Sequence, residues 1–419
     1  MNGFFVRFLS LTVLATLSAS SPAMDFNVSG FGTVGFAQSD KPYHYQRFID
    51  EEGTFTRDSI LGVQADVKFT SQLGATVQGK LAPSSESDRR WDATLSWAFV
   101  SWRPTDEWLV RAGKLRLPFM LNTENADVGA TYDFARLPME VYSIAPTTDV
   151  VGLSISKTWL GEKVDWTLEG YTGRTEGHWR YYGREIRDGS NAPGSWFLPI
   201  KIKSSGLVLT AKTTDDVFRA GVHEVEVARM GTKTGTDIVR NATPIPGVGI
   251  YNFAPGGVEK LIVPVYNLGA SVLLPQAVRV TGEYALIRVN SASEGLSRWG
   301  AYLSVSRRFG EWMPYVYFAK MKSTDGALEQ WKRINGNVLP PPLAHLNPTQ
   351  KFLADIVVPM DQSTLALGTS WRVSANGLVK AEWAHVRTGV ASGLVDAPKG
   401  SDSGGQHLNV YSVSYNFTF

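Results

Sequence analysis

The sequence predicts an all-β fold: a transmembrane antiparallel up-and-down β-barrel of about sixteen strands, with its third extracellular loop folded inward. Three observations carry that expectation. Segments of about ten residues with period-two alternation recur along the whole chain. The connections between them alternate short and long. The terminal stretch Leu408–Phe419 puts Tyr411, Val413, Tyr415, Phe417 and Phe419 on one parity, with Val410, Ser412, Ser414, Asn416 and Thr418 on the other. An aromatic face beside a small polar face suits a wall strand between lipid and water, which a barrel closes by pairing last strand with first. The competing reading is an edge strand of a soluble sandwich.

In chain order, residues 1–23 read as a secretory leader. Arg7 is the only charge, Phe8–Leu17 is a short apolar run, and Ser21-Pro22-Ala23 supplies small residues before a cleavage placed at Met24. The run falls short of the roughly 20 residues of a spanning helix. Residues 24–419 then read as one barrel domain, since no Pro-rich, Ser-rich or like-charge linker divides them.

Strands are expected near Phe26–Phe36, Thr56–Phe69, Ala75–Leu81, Thr94–Trp102, Trp108–Leu117, Val150–Trp159, Val164–Thr172 and Gly206–Thr214. Others are expected near Phe218–Val227, Pro264–Leu274, Ala277–Arg288, Trp299–Phe309, Trp312–Lys320, Ser363–Val373, Gly377–Arg387 and the C-terminal stretch. The glycines of the first strand, Gly30, Gly32 and Gly35, suggest close backbone approach. Phe218–Val227 changes its apolar parity partway and suggests a bulge. Pro314 fits only the start of a strand or a bulge. Arg111 shares parity with Leu109, Leu115 and Leu117, on what reads as the lipid face. The long links are 118–149, 173–205, 228–263, 289–298, 321–362 and 388–407. Trp102, Trp108, Trp159, Trp166, Trp299, Trp312, Trp371 and Trp383 fall at strand ends, where an apolar ring with one N–H suits the headgroup level.

Composition narrows function. Cys is absent, so no disulfide framework exists. Without the leader, 40 basic residues face 39 acidic ones, which gives no support to nucleic-acid binding. Aromatics and 40 Gly suit short strands, tight turns and interfacial girdles. The six histidines (His44, His178, His223, His345, His385, His407) form no HExxH pair, and no GxSxG elbow is present. Neither an enzyme, a cofactor nor a metal site is expected.

One long link differs from the rest. From Pro118 to Tyr142 this link holds Glu124, Asp127, Asp133 and Glu140 with a single base, Arg136, and Pro118 and Pro138 break strand pairing at its two ends. Its apolar residues, among them Phe119, Val128, Tyr132, Phe134, Leu137 and Val141, need a surface. The segment 118–150 is therefore expected to fold inward against the barrel wall. Lys80, Lys114 and Arg116 lie on the polar parity of neighbouring strands, with Arg57, Arg89 and Arg90 higher up.

Strand count, loop alternation, terminal Phe and inserted third loop together resemble the Gram-negative outer-membrane porins. Gly113-Lys114-Leu115-Arg116-Leu117-Pro118 and Asp133–Tyr142 are similar to the proteobacterial members. The resemblance implies a water-filled channel for passive diffusion of small hydrophilic solutes and ions. It implies a constriction in which Glu124, Asp127 and Asp133 face Lys80, Lys114 and Arg116, and Arg136 departs from that division of sign. It also implies a homotrimer set in outer-membrane lipid and lipopolysaccharide. Rival readings are a substrate-specific channel for phosphate, sugars or organic acids, an outer-membrane enzyme, and an adhesive or structural surface barrel.

Overall fold

The computed structural model describes residues 24–186, 192–234, 237–289 and 296–419. The expected leader lies outside them. Among the described residues, sixteen strands close one antiparallel barrel. They are β1 (Asp25–Ser39), β2 (Ile60–Lys68), β3 (Leu73–Pro83), β4 (Trp91–Thr105), β5 (Trp108–Arg116), β6 (Asp149–Trp159), β7 (Asp165–Gly183) and β8 (Gly194–Lys212). There follow β9 (Val217–Arg229), β10 (Leu261–Leu274), β11 (Val278–Ile287), β12 (Arg298–Arg307), β13 (Trp312–Ser323), β14 (Met360–Ser374), β15 (Gly377–Ser392) and β16 (His407–Thr418). Each pairs with its sequence neighbours, and β16 pairs with β1 from Phe31↔Thr418 to Ser39↔Val410. Phe419 exchanges two backbone hydrogen bonds with Gly30, at 2.8 and 3.0 Å. No wall strand is left with an open edge.

The alternation separates two faces. Val151, Leu153 and Ile155 of β6 are exposed, while Ser154 and Ser156 of the alternate parity are buried on the inside. The same holds for Val316 and Phe318 against Tyr315 and Tyr317 of β13. A belt of exposed aliphatic side chains around the barrel is stable only against lipid. Exposed Trp102, Trp108, Trp159, Trp166, Trp312 and Trp371 flank the short turns, and the last two stack with centroids 5.1 Å apart. Trp299 and Trp383 mark the opposite rim, where Trp299 stacks on Tyr284 at 6.3 Å.

Several expectations need correction. Phe218–Val227 contains no bulge, because β9 stays in register with both neighbours. Its apolar parity changes for another reason: outward Glu224 is exposed, while inward Val225 and Val227 are buried against the barrel's contents. The register shifts occur instead in β4, opposite Gln78/Gly79 of β3, between β4 and β5 at Trp102/Thr105, and between β14 and β15. Pro314 sits near the start of β13, outside the ladder to β12, which begins at Tyr315. The first-strand glycines do not open the wall to another barrel. A Cβ on Gly30 or Gly32 would collide with the rings of Phe419 and Phe417, which lie over them.

Several long links are not loops throughout, and 228–263 carries a small hairpin of its own, Ile238–Ala242 with Gly249–Phe253. β7 and β8 each run 19 residues, about twice the roughly 10 that span a membrane, so their upper halves stand clear as a hairpin. The link 321–362 holds α2 (Asp325–Asn335), capped by Thr324, and α3 (Asn347–Val357). The hairpin is tied across to the other loops. Arg180 donates to Asp88 at 2.9 and 3.1 Å and to Asp396 at 2.5 and 3.1 Å, while Tyr182 donates to the Ala397 carbonyl at 3.1 Å. Since 396–397 connects β15 to β16, these bonds stretch the hairpin over the barrel mouth.

Candidate constriction inside the barrel

β5 ends in an irregularity that aims the next segment. Gly113 has φ +134°, a conformation that side-chain-bearing residues rarely adopt, and a Cβ there would strike Ala98 and Phe99. Arg111 before it and Lys114 and Arg116 after it differ in parity, yet all three reach interior carboxylates. Arg111 is thus an interior residue and not a lipid-facing one. Its Nη2 donates to Glu169 at 2.7 Å, and its Nε donates to Ser154 at 3.3 Å.

From Leu117 the chain crosses the interior. Phe119 is fully buried against His223 of β9, ring centroids 4.3 Å apart. Arg219 of β9 donates to the Met120 carbonyl at 2.7 Å, and the Leu121 N–H donates to Glu283 of β11 at 2.7 Å. Gly129 then lies so close to Asn416 of β16 and Thr33 of β1 that a Cβ there would displace their side chains. Phe134 sits edge-on to Tyr302, Tyr315 and Tyr317, at 5.2 to 6.1 Å between centroids. Lys380 of β15 donates to the Phe134 carbonyl at 2.7 Å, with Nζ 4.0 Å from the Tyr132 ring centre. The short helix α1 (Met139–Tyr142) packs on β12 and β13. A segment that leaves β5 and touches β9, β11, β13, β15, β16 and β1 runs through the barrel, because those strands form the opposite wall.

The expected site residues fall into two groups. Asp127 accepts from Lys80 at 2.7 Å and pairs with Arg116. Glu124 lies 4.0 Å from Arg111 and 3.7 Å from Arg219. Lys114 pairs with Asp149 at 3.3 Å and with neither of those loop acids. These groups share one patch of the interior, and Lys80, Lys114 and Glu124 keep a quarter or so of their surface open. Asp133 and Arg136 lie elsewhere. Asp133 accepts from Ser370 at 2.7 Å. Arg136 donates to Asp58 at 2.9 and 3.0 Å and pairs with Ser412. Glu140 is buried, accepting from Gln362 at 2.8 Å and from Thr364. Of the bases expected higher up, Arg57 reaches Gln46 at 3.1 Å and Met139 Sδ at 3.6 Å, while Arg90 pairs with Glu86 and Asp92.

Sequence reasoning missed Arg111, Arg219, Glu169, Asp58 and Glu283. A glycine between two oppositely phased bases was the one local signal for Arg111. At Asp127 the loop acid and the wall bases are in direct contact. What remains is a cluster of mixed sign that can orient and screen solutes. Among the described residues no group of His, Asp or Glu is arranged to hold a metal ion.

Neither a family model nor a curated relative matches the sequence. Solved structures do match in shape. The outer membrane channel DcaP of Acinetobacter baumannii superposes over 97% of this chain and 100% of its own, with TM-score 0.52 and 10% identity. An anion-selective porin from Comamonas acidovorans covers 95% and 100%, with TM-score 0.51 and 10% identity. A loop-deletion mutant of OmpT from Vibrio cholerae covers 94% and 99%, with TM-score 0.51 and 11% identity. The chain has the porin fold. Identities this low establish fold alone, and a porin fold serves general and selective channels alike.

Proposed function

We propose that this chain is an outer-membrane porin: a water-filled channel in the bacterial outer membrane through which small hydrophilic solutes and ions diffuse passively. The observation that carries this reading is a closed barrel, apolar outside and charged inside, crossed by segment 118–150. A sixteen-strand barrel encloses an aqueous lumen, and a segment lying across it narrows the passage. Charges there bias which ions pass. No step is chemical and no energy source is needed, so the reading includes no catalysis, cofactor or nucleic acid.

Planar-bilayer recording of the purified protein tests it. Discrete conductance steps with a defined reversal potential in a salt gradient are expected, and a bilayer that stays silent would sink the proposal. Silence would instead favour a structural or adhesive barrel.

A substrate-specific channel for phosphate, sugar or organic acid is the second reading. It is favoured by the β7–β8 hairpin across the mouth and by charges already paired at the constriction, both of which restrict free diffusion. Solute-dependent block would distinguish it.

Lipid contact is supported by one row of the outer wall. Lys320, Ser363, Arg387 and His407 are cross-strand neighbours on β13 to β16, all outward. They lie above the apolar belt, where lipopolysaccharide phosphates would meet them. A homotrimer rests on the porin resemblance alone, since rings cover the first-strand glycines. Mass measurement in mild detergent decides it.

A further inference from the structure

A cavity of about 250 Å³ lies between the end of the crossing segment and the hairpin. Its floor is Ser143 to Pro146, its roof His178 to Tyr181, and its walls include Val227, Val263, Ile287 and Met360. The lining is largely apolar, and no carboxylate belongs to it among the described residues. One cation does. Arg298, the first residue of β12, donates from Nη2 to the Ser143 carbonyl at 3.2 Å, and its Nε is closed off from solvent with no acceptor among the described residues. Arg180, also in the lining, is already committed to Asp88 and Asp396.

A guanidinium enclosed without an anion is costly, and the missing partner defines what would fit. Its planar N–H groups match a carboxylate. The aliphatic walls and Trp179 match an apolar body. From this we infer that the cavity is a binding site for a small organic monocarboxylate, held by Arg298 at its charged end and by Trp179, Val263 and Ile287 around its ring or chain. The inference deepens the channel reading and rests on it for its physiological sense: the site lies between the roofed mouth and the constriction, where an entering solute would pause. The plain alternative is that Arg298 only caps the C-terminal end of α1 through Ser143. That accounts for Nη2 and leaves Nε unexplained.

Titration calorimetry on the detergent-solubilised full chain tests this with benzoate as probe and benzamide as its uncharged counterpart. Benzoate should bind, benzamide should not, and Arg298→Gln should weaken benzoate about tenfold or more, as expected for losing a charge-assisted hydrogen bond. Equal binding of the two compounds, no binding of either, or unchanged affinity in Arg298→Gln would overturn the inference. KCl conductance of the same variant reports whether the crossing segment has moved. If it has, Val289→Trp decides, because it fills the cavity with Arg298 in place: lost benzoate binding supports the site, and retained binding refutes it. A conducting barrel that ignores benzoate defeats this inference alone. A silent barrel that binds benzoate defeats the channel reading alone.

Discussion

The two halves of the crossing segment behave oppositely although both are acidic. Residues 119–127 offer Glu124 and Asp127 to bases: Lys80 and Arg111 of the near wall and Arg219 of β9. Residues 133–142 give their acids to neutral donors of the far wall: Ser370 to Asp133, and Gln362 and Thr364 to Glu140. The second half also carries the larger aromatic cluster, with Phe134 among three tyrosines, against the single Phe119–His223 contact of the first. The first half therefore carries charge and the second half holds position. Carboxylates a few residues apart play different parts because their partners are fixed by the path of the chain, not by their spacing in it.

Removing the anchor should have the largest effect. Phe134→Ala deletes a buried ring, a change that costs roughly 3–5 kcal/mol in packed cores. Glu140→Ala in the same chain strands the Gln362 and Thr364 donors, about 1–3 kcal/mol more. The expected outcome is a segment no longer pinned to the far wall, seen as higher and noisier single-channel conductance with the barrel still folded. Conductance indistinguishable from the parent would mean that the far-wall contacts do not hold the constriction.

Next in size is the charge-bearing half. Asp127→Asn leaves Lys80 and Arg116 without their shared acid, so the reversal potential in a KCl gradient should move toward the anion value. Neutralising Lys80 and Arg116 together should move it the other way. Identical reversal potentials in both variants would remove charge from any role at this point.

Smaller again is Glu124→Gln, because Arg111 keeps Glu169 at 2.7 Å. Asp133→Asn should leave the reversal potential where it was. If Asp133 shifts ion preference as much as Asp127, the division between the halves fails.

This ordering also marks what the sequence made legible. The sixteen strands were readable because lipid on one side and water on the other impose period two on every wall strand. The upper halves of β7 and β8 stand outside lipid, so residues such as Arg174, Glu176 and His178 obey no such constraint and look like loop. In α2, Ala327, Leu328, Trp331 and Ile334 are buried at helical spacing behind a Thr324 cap, a signal present in the sequence and hidden by a search for strands. At the site, residue types were legible and partners were not. Asp133 paired with Ser370 and not with a base, and Arg111 turned inward, because of a crossing path and a backbone flip at Gly113 that no periodicity reports.

The smallest expected effect lies outside the membrane and contrasts the constriction with the cover. Asp355 of α3 is 3.1 Å from Arg184 and accepts the Arg184 backbone N–H at 3.0 Å. Burial pushes its carboxyl up to about 7, against the pull of Arg184, with Glu185 adding to the rise and Lys351 opposing it. A carboxyl whose folded value lies above its usual range holds a proton in the docked loop that it would lose in the released one. Docking of α3 should therefore weaken as pH rises from about 4 to about 7, and level off above that. Hydrogen exchange at the amides of residues 347–357, corrected for the intrinsic pH dependence of exchange, should show protection falling across that window. Asp355→Asn should flatten the profile while leaving KCl reversal potentials unchanged, because the charge it removes lies in the cover and not at the constriction. Protection that rises with pH, or a variant that alters ion preference, would place Asp355 on the conduction path and end the contrast.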